Sequence, residues 1–397
     1  MGILDFFSRT PSRARFAQIA MQAARERGVD KAMRFDESNF RIVMGENDIF
    51  NLDNFYLDYC RAPRAGREAV VARYAHLFAQ PAVPASFADV RRHLLPVLRA
   101  KAFLQALRQE PLFDERVPPG GMAAADFSDD TTLMLAYDTE HLTRTLDAGQ
   151  FTSWGVSIGD ATAIALDNLR DLAAECFVQL TPTLFASDWN DAYDSSRRLL
   201  ADLVYRVAGP RPVAMIPTRG RMLLSATRST GDLLALIDFA KSAIEQEGRR
   251  VSTLMYEFVD GRAVPFVPSD EEVARKLADL RRVALQEDYA EQKQQLEQRH
   301  DKQGIDVFVA SYMLYKGEDE RMFSVASWTE GVDTLLPQVD RVSFVVMDEA
   351  GQPRHAGMVA WEQVEAVAGH LMRLEAGSYP VRYRVAGFPE LGRLGLR

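Results

Sequence analysis

Groups able to do chemistry are densest between residues 187 and 198, which read SDWNDAYDSSRR. Asp191 and Asp194 stand three apart and Arg197 follows at the next turn, so a helix over 187–207 would place all three on one face. Such a face could bind a cation, or hold an anion against the arginine. A plainer chemistry fits the same letters. Ser187, Asp188 and Asp191 suit a helix's first turn, where side-chain oxygens cap free N–H groups and carboxylates offset the dipole. Asp194 would then pair with Arg197 or Arg198 on the surface, worth about 0.2–0.5 kcal/mol.

A second cluster, Thr218-Arg219-Gly220-Arg221, sits in a turn between apolar runs. Arg219 and Arg221 could fork around a phosphate or carboxylate, although a hairpin tip carrying solubilising charge reads identically. The segment lacks the GxxxxGK[ST] pattern, which excludes a P-loop. Residues 155–159 spell GVSIG, the letters of a nucleophile elbow around Ser157. That elbow needs a buried strand entering the serine, and FTSW is a poor one, so Ser157 reads as a helix N-cap. The six histidines, His76, His93, His141, His300, His355 and His370, form no metal-ligand spacing with one another or with cysteine. No metal and no cofactor is expected.

The elements that must position these groups follow from periodicity and punctuation. Thr10 and Pro11 open a helix with Phe16, Ile19, Ala20 and Ala23 on one face, and Gly28 ends it. FRIVMG and IFNL make a hairpin around residues 46–48. A helix over 54–78 breaks near 63–66. Pro81, Pro84 and Ser86 precede a helix over 87–107, and the Pro/Gly-rich run 110–128 marks a boundary. TTLMLAYD is a strand. Ser157 and Asp160 start a helix whose stripe is Ala161, Ala165, Leu169, Leu172 and Cys176. Strands flank 217–220, a helix spans 230–247, and Asp260-Gly261 turns a hairpin. Ser269 caps a charged helix that ends at Gly304, half-solvated beyond Tyr289. Two hairpins around 317–320 and 349–351, a helix over 362–374 and a strand YPVRYRVAG complete the chain. Trp328, Trp361, Tyr312 and Tyr315 could line a recognition surface there, and as aromatics on short strands they are expected to fill the small core.

At 397 residues and 47% hydrophobic content, the chain supports two or three packed domains. The net charge of −9 argues against a nucleic-acid partner, even though residues 1–120 carry 18 basic against 14 acidic side chains. Cys60 and Cys176 have no framework spacing, which fits a reducing cytoplasm. No run of apolar residues reaches membrane-spanning length. The apolar start MGILDFFSR could touch a membrane or a partner, and equally could pack on its own domain.

The order YDTEHLTRTL, WGVS…ALDNLRDL, DAYDSSRRLL, PVAMIPTRGRMLL, STLMYEFVDGRAVPF resembles the YtpQ family, a bacterial domain of unknown function. LPVLRAKAFL is similar to the segment that precedes the first strand of that pattern. The resemblance covers 125–268 well and 1–124 more loosely. It implies a cytoplasmic bacterial protein and carries over no activity, cofactor or catalytic residue.

The expected fold is therefore α+β: mixed, largely antiparallel sheets with helices packed on one face, in several domains. Those are an N-terminal α+β region (1–109), a YtpQ-like domain (125–268), a long charged connecting helix (269–303) and a small C-terminal α+β domain (305–397). The expected function is a non-catalytic interaction or adaptor protein that binds a protein partner through 269–303 or 305–397. The rival is an enzyme or small-ligand binder using Asp191, Asp194, Arg197, Arg219 and Arg221.

Overall fold

The computed structural model describes residues 10–37, 40–44, 48–78, 83–109, 123–139, 142–248, 250–348 and 350–396. Residues 1–9, the turn residues 46–47 and 349, Pro81, most of the boundary run (110–122) and His141 lie outside them. The chain forms two compact units. One takes the chain up to Leu95 together with Leu135–Ala165; the other continues from Pro96 and takes Ala123–Met134 and Leu166–Arg397.

The first unit opens with α1 (Arg13–Glu26), capped by Ser12, whose Oγ accepts from Arg15 N at 3.2 Å. The cap is thus two residues later than Thr10, and Pro11 lies before it. Phe16, Ala17, Ala20, Ala23 and Ala24 are its buried face. The antiparallel meander of β1 (Met33–Asp36), β2 (Arg41–Met44) and β3 (Asp48–Asn51) follows. Next come α2 (Asp53–Arg61) and α3 (Arg67–Phe78), separated by a 3-10 turn at Arg64–Gly66 after Pro63. Phe16 packs edge-on against Phe55 at 4.6 Å.

The helix expected over 87–107 is three elements. A short α4 (Phe87–Val90) gives way to β4 (Leu94–Ala100), buried at every position, and then α5 (Lys101–Gln109). A strand buried on both faces reads as an unbroken apolar run, which hides its period of two. β5 (Ala124–Asp126) pairs with β6 (Thr131–Thr139), and β6 pairs with β7 (Leu142–Thr145). Then come α6 (Ala148–Trp154), held by a capping box between Asp147 and Gln150, and α7 (Ile158–Asp171). On α7, Ala161, Ala165 and Leu169 are fully buried. Leu172 is 54% exposed, and Cys176 lies beyond the helix, so the core stripe stops at Leu169.

In the second unit β8 (Phe177–Gln179), β9 (Leu184–Ser187), β10 (Val213–Thr218), β11 (Arg221–Ser225), β12 (Met255–Val259) and β13 (Arg262–Pro265) form a six-stranded sheet, ordered β13-β12-β10-β11-β9-β8. All five pairings are antiparallel. Asp260 and Gly261 turn β12 into β13 with φ of 49° and 73°, the left-handed pair a two-residue hairpin needs. One face packs on α9 (Thr230–Glu247) through Leu233, Leu236, Ile237 and Ala240. The other packs on Val204 and Ala208 of α8 (Ala201–Ala208) and on Leu98.

The 33-residue α10 (Glu271–Gln303) is capped by Asp270, not Ser269, and closed by Gly304 in the left-handed region. Its first half contributes Val273, Leu277 and Leu280 to the core beneath α9. Its second half is polar but engaged. The Tyr289 hydroxyl donates to Val381 O at 2.6 Å, Gln292 Nε2 to Pro380 O at 2.9 Å and Lys293 Nζ to Val309 O at 2.5 Å. Arg282 forks onto Asp340 with two 2.9 Å bonds. These acceptors belong to a C-terminal region of two four-stranded sheets. Their strands are β14 (Phe308–Val309), β15 (Met313–Lys316), β16 (Met322–Thr329), β17 (Thr334–Pro337), β18 (Arg341–Met347), β19 (Pro353–Ala360), β20 (Met372–Leu374) and β21 (Arg382–Val385), with α11 (Trp361–Ala368) between β19 and β20. The sheet orders are β15-β16-β18-β19 and β14-β17-β21-β20. The helix expected over 362–374 ends at Ala368, and its tail is β20. β16–β18 and β14–β17 pair in parallel, and the other pairings are antiparallel. Trp328, Phe344, Trp361 and Tyr312 fill the core. The class is α+β with largely antiparallel sheets.

Candidate functional site

Residues 187–200 do not form the expected α-helix. β9 ends at Ser187, and the next residues loop with Asn190 and Ala192 at positive φ. A 3-10 turn then spans Ser195–Leu199 before α8 begins at Ala201. Asp191 Oδ1 accepts from Tyr193 N at 2.9 Å, a local turn that competes with helix start. The polar run lands inside the fold: Asp194, Ser195, Ser196 and Arg198 are 0% exposed and Arg197 1%.

Two of the candidate residues hold each other. Arg197 forks onto Asp191, Nη1 to Oδ1 at 2.8 Å and Nη2 to Oδ2 at 2.5 Å, and lies 4.3 Å over the Trp189 ring. Burial pushes the Asp191 carboxyl up, but the Arg197 and Tyr193 hydrogen bonds outweigh it and hold it below the usual range. Asp194 goes the other way. Burial, then the Asp191 charge, raise its pKa. Its Oδ1 accepts from Trp189 N at 3.3 Å, and Oδ2 has no partner among the described residues.

The Thr218–Arg221 end of the β10–β11 hairpin meets the same turn through its backbone, since Ser195 N donates to Arg219 O at 3.2 Å. The Arg219 guanidinium lies 5.0 Å over the Phe103 ring. Arg221 donates to Ser187 O at 3.0 Å and to Glu247 Oε1 from Nε and Nη2, while Thr218 donates to the other Glu247 oxygen. The five candidates therefore meet around this turn, with Asp194 and Arg197 enclosed, Arg219 and Arg221 half-buried and Asp191 exposed. The groove between α9 and α10, about 500 Å³ and lined by Ile237, Ile244, Leu280 and Val283, includes none of them. Ser157 is a cap: its Oγ accepts from Asp160 N at 3.0 Å and donates to Asp160 Oδ2 at 2.7 Å. A helix, α6, precedes it through Gly155, so no elbow forms.

Sequence reasoning missed the partner of this cluster. Asp130, 6% exposed, takes Ser252 Oγ at 2.9 Å on both oxygens, Thr253 N at 2.9 Å and Ser128 Oγ at 3.1 Å. Tyr256 donates to it at 3.4 Å. Beside it Arg198 lies 3.5 Å over the Tyr256 ring and 4.4 Å over Phe127. Burial pushes the Arg198 guanidinium down to about 10, against the Tyr256 and Asp130 charges. These residues sit more than fifty positions from the turn in either direction, so no local spacing announces them. No protein-family model, curated protein or solved structure matches the chain. Among the described residues no helix is long and apolar enough to cross a membrane.

Proposed function

We propose that this is a non-catalytic protein-interaction or adaptor protein of the cytoplasm, related to the YtpQ family, whose partner adds a strand to the C-terminal region. The observation that carries this reading is the edge strand β15. It borders its sheet, and Met313 and Tyr315, on one face at alternate positions, are 37% and 47% exposed. An open edge presents backbone donors and acceptors to an extended peptide, and alternate side chains give it specificity. α10 supports the reading by gripping this region through Arg282, Tyr289, Gln292 and Lys293. The rival enzyme reading loses support, because Asp191 and Arg197 are engaged with each other and Arg221 with Glu247.

The test is a photo-crosslinking residue at Tyr315 in the full chain, in cells, against the same residue at exposed Lys241. A polypeptide captured at 315 and not at 241, and lost in Leu314→Pro, is the expected result. Equal capture at both positions, or none at 315, overturns the reading.

A further inference from the structure

Five consecutive polar residues, Asp194 to Arg198, are buried almost completely, and the orphaned side-chain atoms concentrate there: Asp194 Oδ2, Ser195 Oγ, Arg197 Nε and all three nitrogens of Arg198. Arg198 is the extreme case. A guanidinium carries five N–H donors in a rigid fork. The Tyr256 hydroxyl is within hydrogen-bond reach but out of line, and the other donors meet no acceptor among the described residues. Ser195 stands three residues before it in the 3-10 turn, where side chains at i and i+3 eclipse.

The neighbouring carboxylate does not fill this role. Asp130 is close enough for its charge to be felt by Arg198. Yet its two oxygens are taken by Ser252, Thr253, Ser128 and Tyr256, all of them neutral donors. The acid has been satisfied from one side and the arginine left with most of its fork unused. Phe127 and Tyr256 lie against the guanidinium carbon at 4.4 and 3.5 Å. The rings meet the guanidinium carbon, and its N–H bonds point outward from that carbon in the group's own plane. Such a fork suits a flat, singly charged acceptor that can take two parallel N–H bonds.

We propose that Arg198 is the anchor of an internal binding site for a small planar oxyanion of the carboxylate type, with Ser195 Oγ as a further donor. The site goes beyond the interaction reading above and does not depend on it. Its enclosure sets the ligand's size: the nitrogens have almost no accessible surface, so the ion is taken up in a local opening and retained.

The experiment is thermal unfolding of the full-length protein at constant pH and ionic strength, with sodium formate or nitrate replacing chloride and with phosphate as the tetrahedral control. The expected result is a midpoint several degrees higher in formate and nitrate, absent in Arg198→Met. A high-resolution crystal structure of the unaltered protein grown in formate is the second measurement, and it decides the matter even where the variant fails to fold. Density for a planar ion within hydrogen-bond distance of the Arg198 nitrogens supports the site. Water alone at those nitrogens, or equal stabilisation of protein and variant, overturns it.

Discussion

Two of the enclosed arginines, Arg198 and Arg382, are treated in opposite ways. Arg382, on β21, is 0% exposed and gives Nε to Gln292 Oε1 at 2.6 Å, Nη1 to Ala310 O at 2.8 Å and Leu335 O at 3.0 Å, and Nη2 to Tyr289 O at 3.3 Å. Arg198 is equally enclosed, with only the out-of-line Tyr256 hydroxyl in hydrogen-bond reach among the described residues. Burial brings both down to about 10. The difference teaches that enclosure alone does not identify a structural residue. Arg382 is a pin, because carbonyls from β14–β15, β17 and α10 all need it. Arg198 holds no described carbonyl through its fork, and uses its ring contacts and the Tyr256 hydroxyl.

The comparison is sharpest in Arg382→Met. That change takes a charged donor from three backbone carbonyls and from the Gln292 oxygen at once, and is expected to cost about 3–5 kcal/mol in urea unfolding, as other broken buried charge networks do. A loss below 1 kcal/mol would break the contrast. Tyr289→Phe removes one donor to Val381 O and one acceptor for Gln338 N, both shielded, and should cost about 1–3 kcal/mol.

Arg198→Met in oxyanion-free buffer should change stability by no more than about 1 kcal/mol. Relief of the burial penalty on that charge, only partly met by Asp130, offsets the lost cation–π contact, worth about 2 kcal/mol when desolvated. A cost equal to that of Arg382→Met would show the two residues to be alike. The smallest effect belongs to the surface: Lys241→Ala, breaking an exposed i,i+4 contact with Glu245, should fall within about 0.5 kcal/mol.

Two carboxylates extend the contrast to pH. Burial pushes Asp340 up, but the Arg282 and Ser324 hydrogen bonds outweigh it and lower its pKa. Its contribution is present above the ordinary carboxylate value near ~3.9 and is lost as pH falls through the folded value. Asp340→Asn should therefore flatten the acid limb of the stability curve. Asp194 is raised by burial, so protonation favours its folded state, and stability drains away as pH rises through that raised value. Asp194→Asn should remove a decline between acidic and neutral pH. Stability measured across that range checks both, and parallel slopes for the two variants would contradict the assignment.

Hairpins and capped helices were legible because their signals are local. Asp260-Gly261 announces its turn, and Ser229 and Gly248 bound α9 at the ends expected. β4 was not legible, because the apolar run around Pro96 carries no alternation when both faces are buried. The parallel pair β16–β18 leaves no trace in spacing, since β17 lies between them in sequence but goes to the other sheet. At the candidate site, the residue types were read correctly and their environment was not. Three-residue spacing of Asp191, Asp194 and Arg197 looks like a wet helix face; Asp191 does stay exposed, while Asp194 and Arg197 are enclosed, with Trp189 across the guanidinium.

The length of α10 has a mechanical consequence. At 1.5 Å per residue its 33 residues make a rod of about 50 Å. Val273 is anchored near one end, and Gln292 about 28 Å further along by the same rise. A pull on the β15 edge is thus delivered along a stiff lever into the floor beneath α9, where the shared core would register the load.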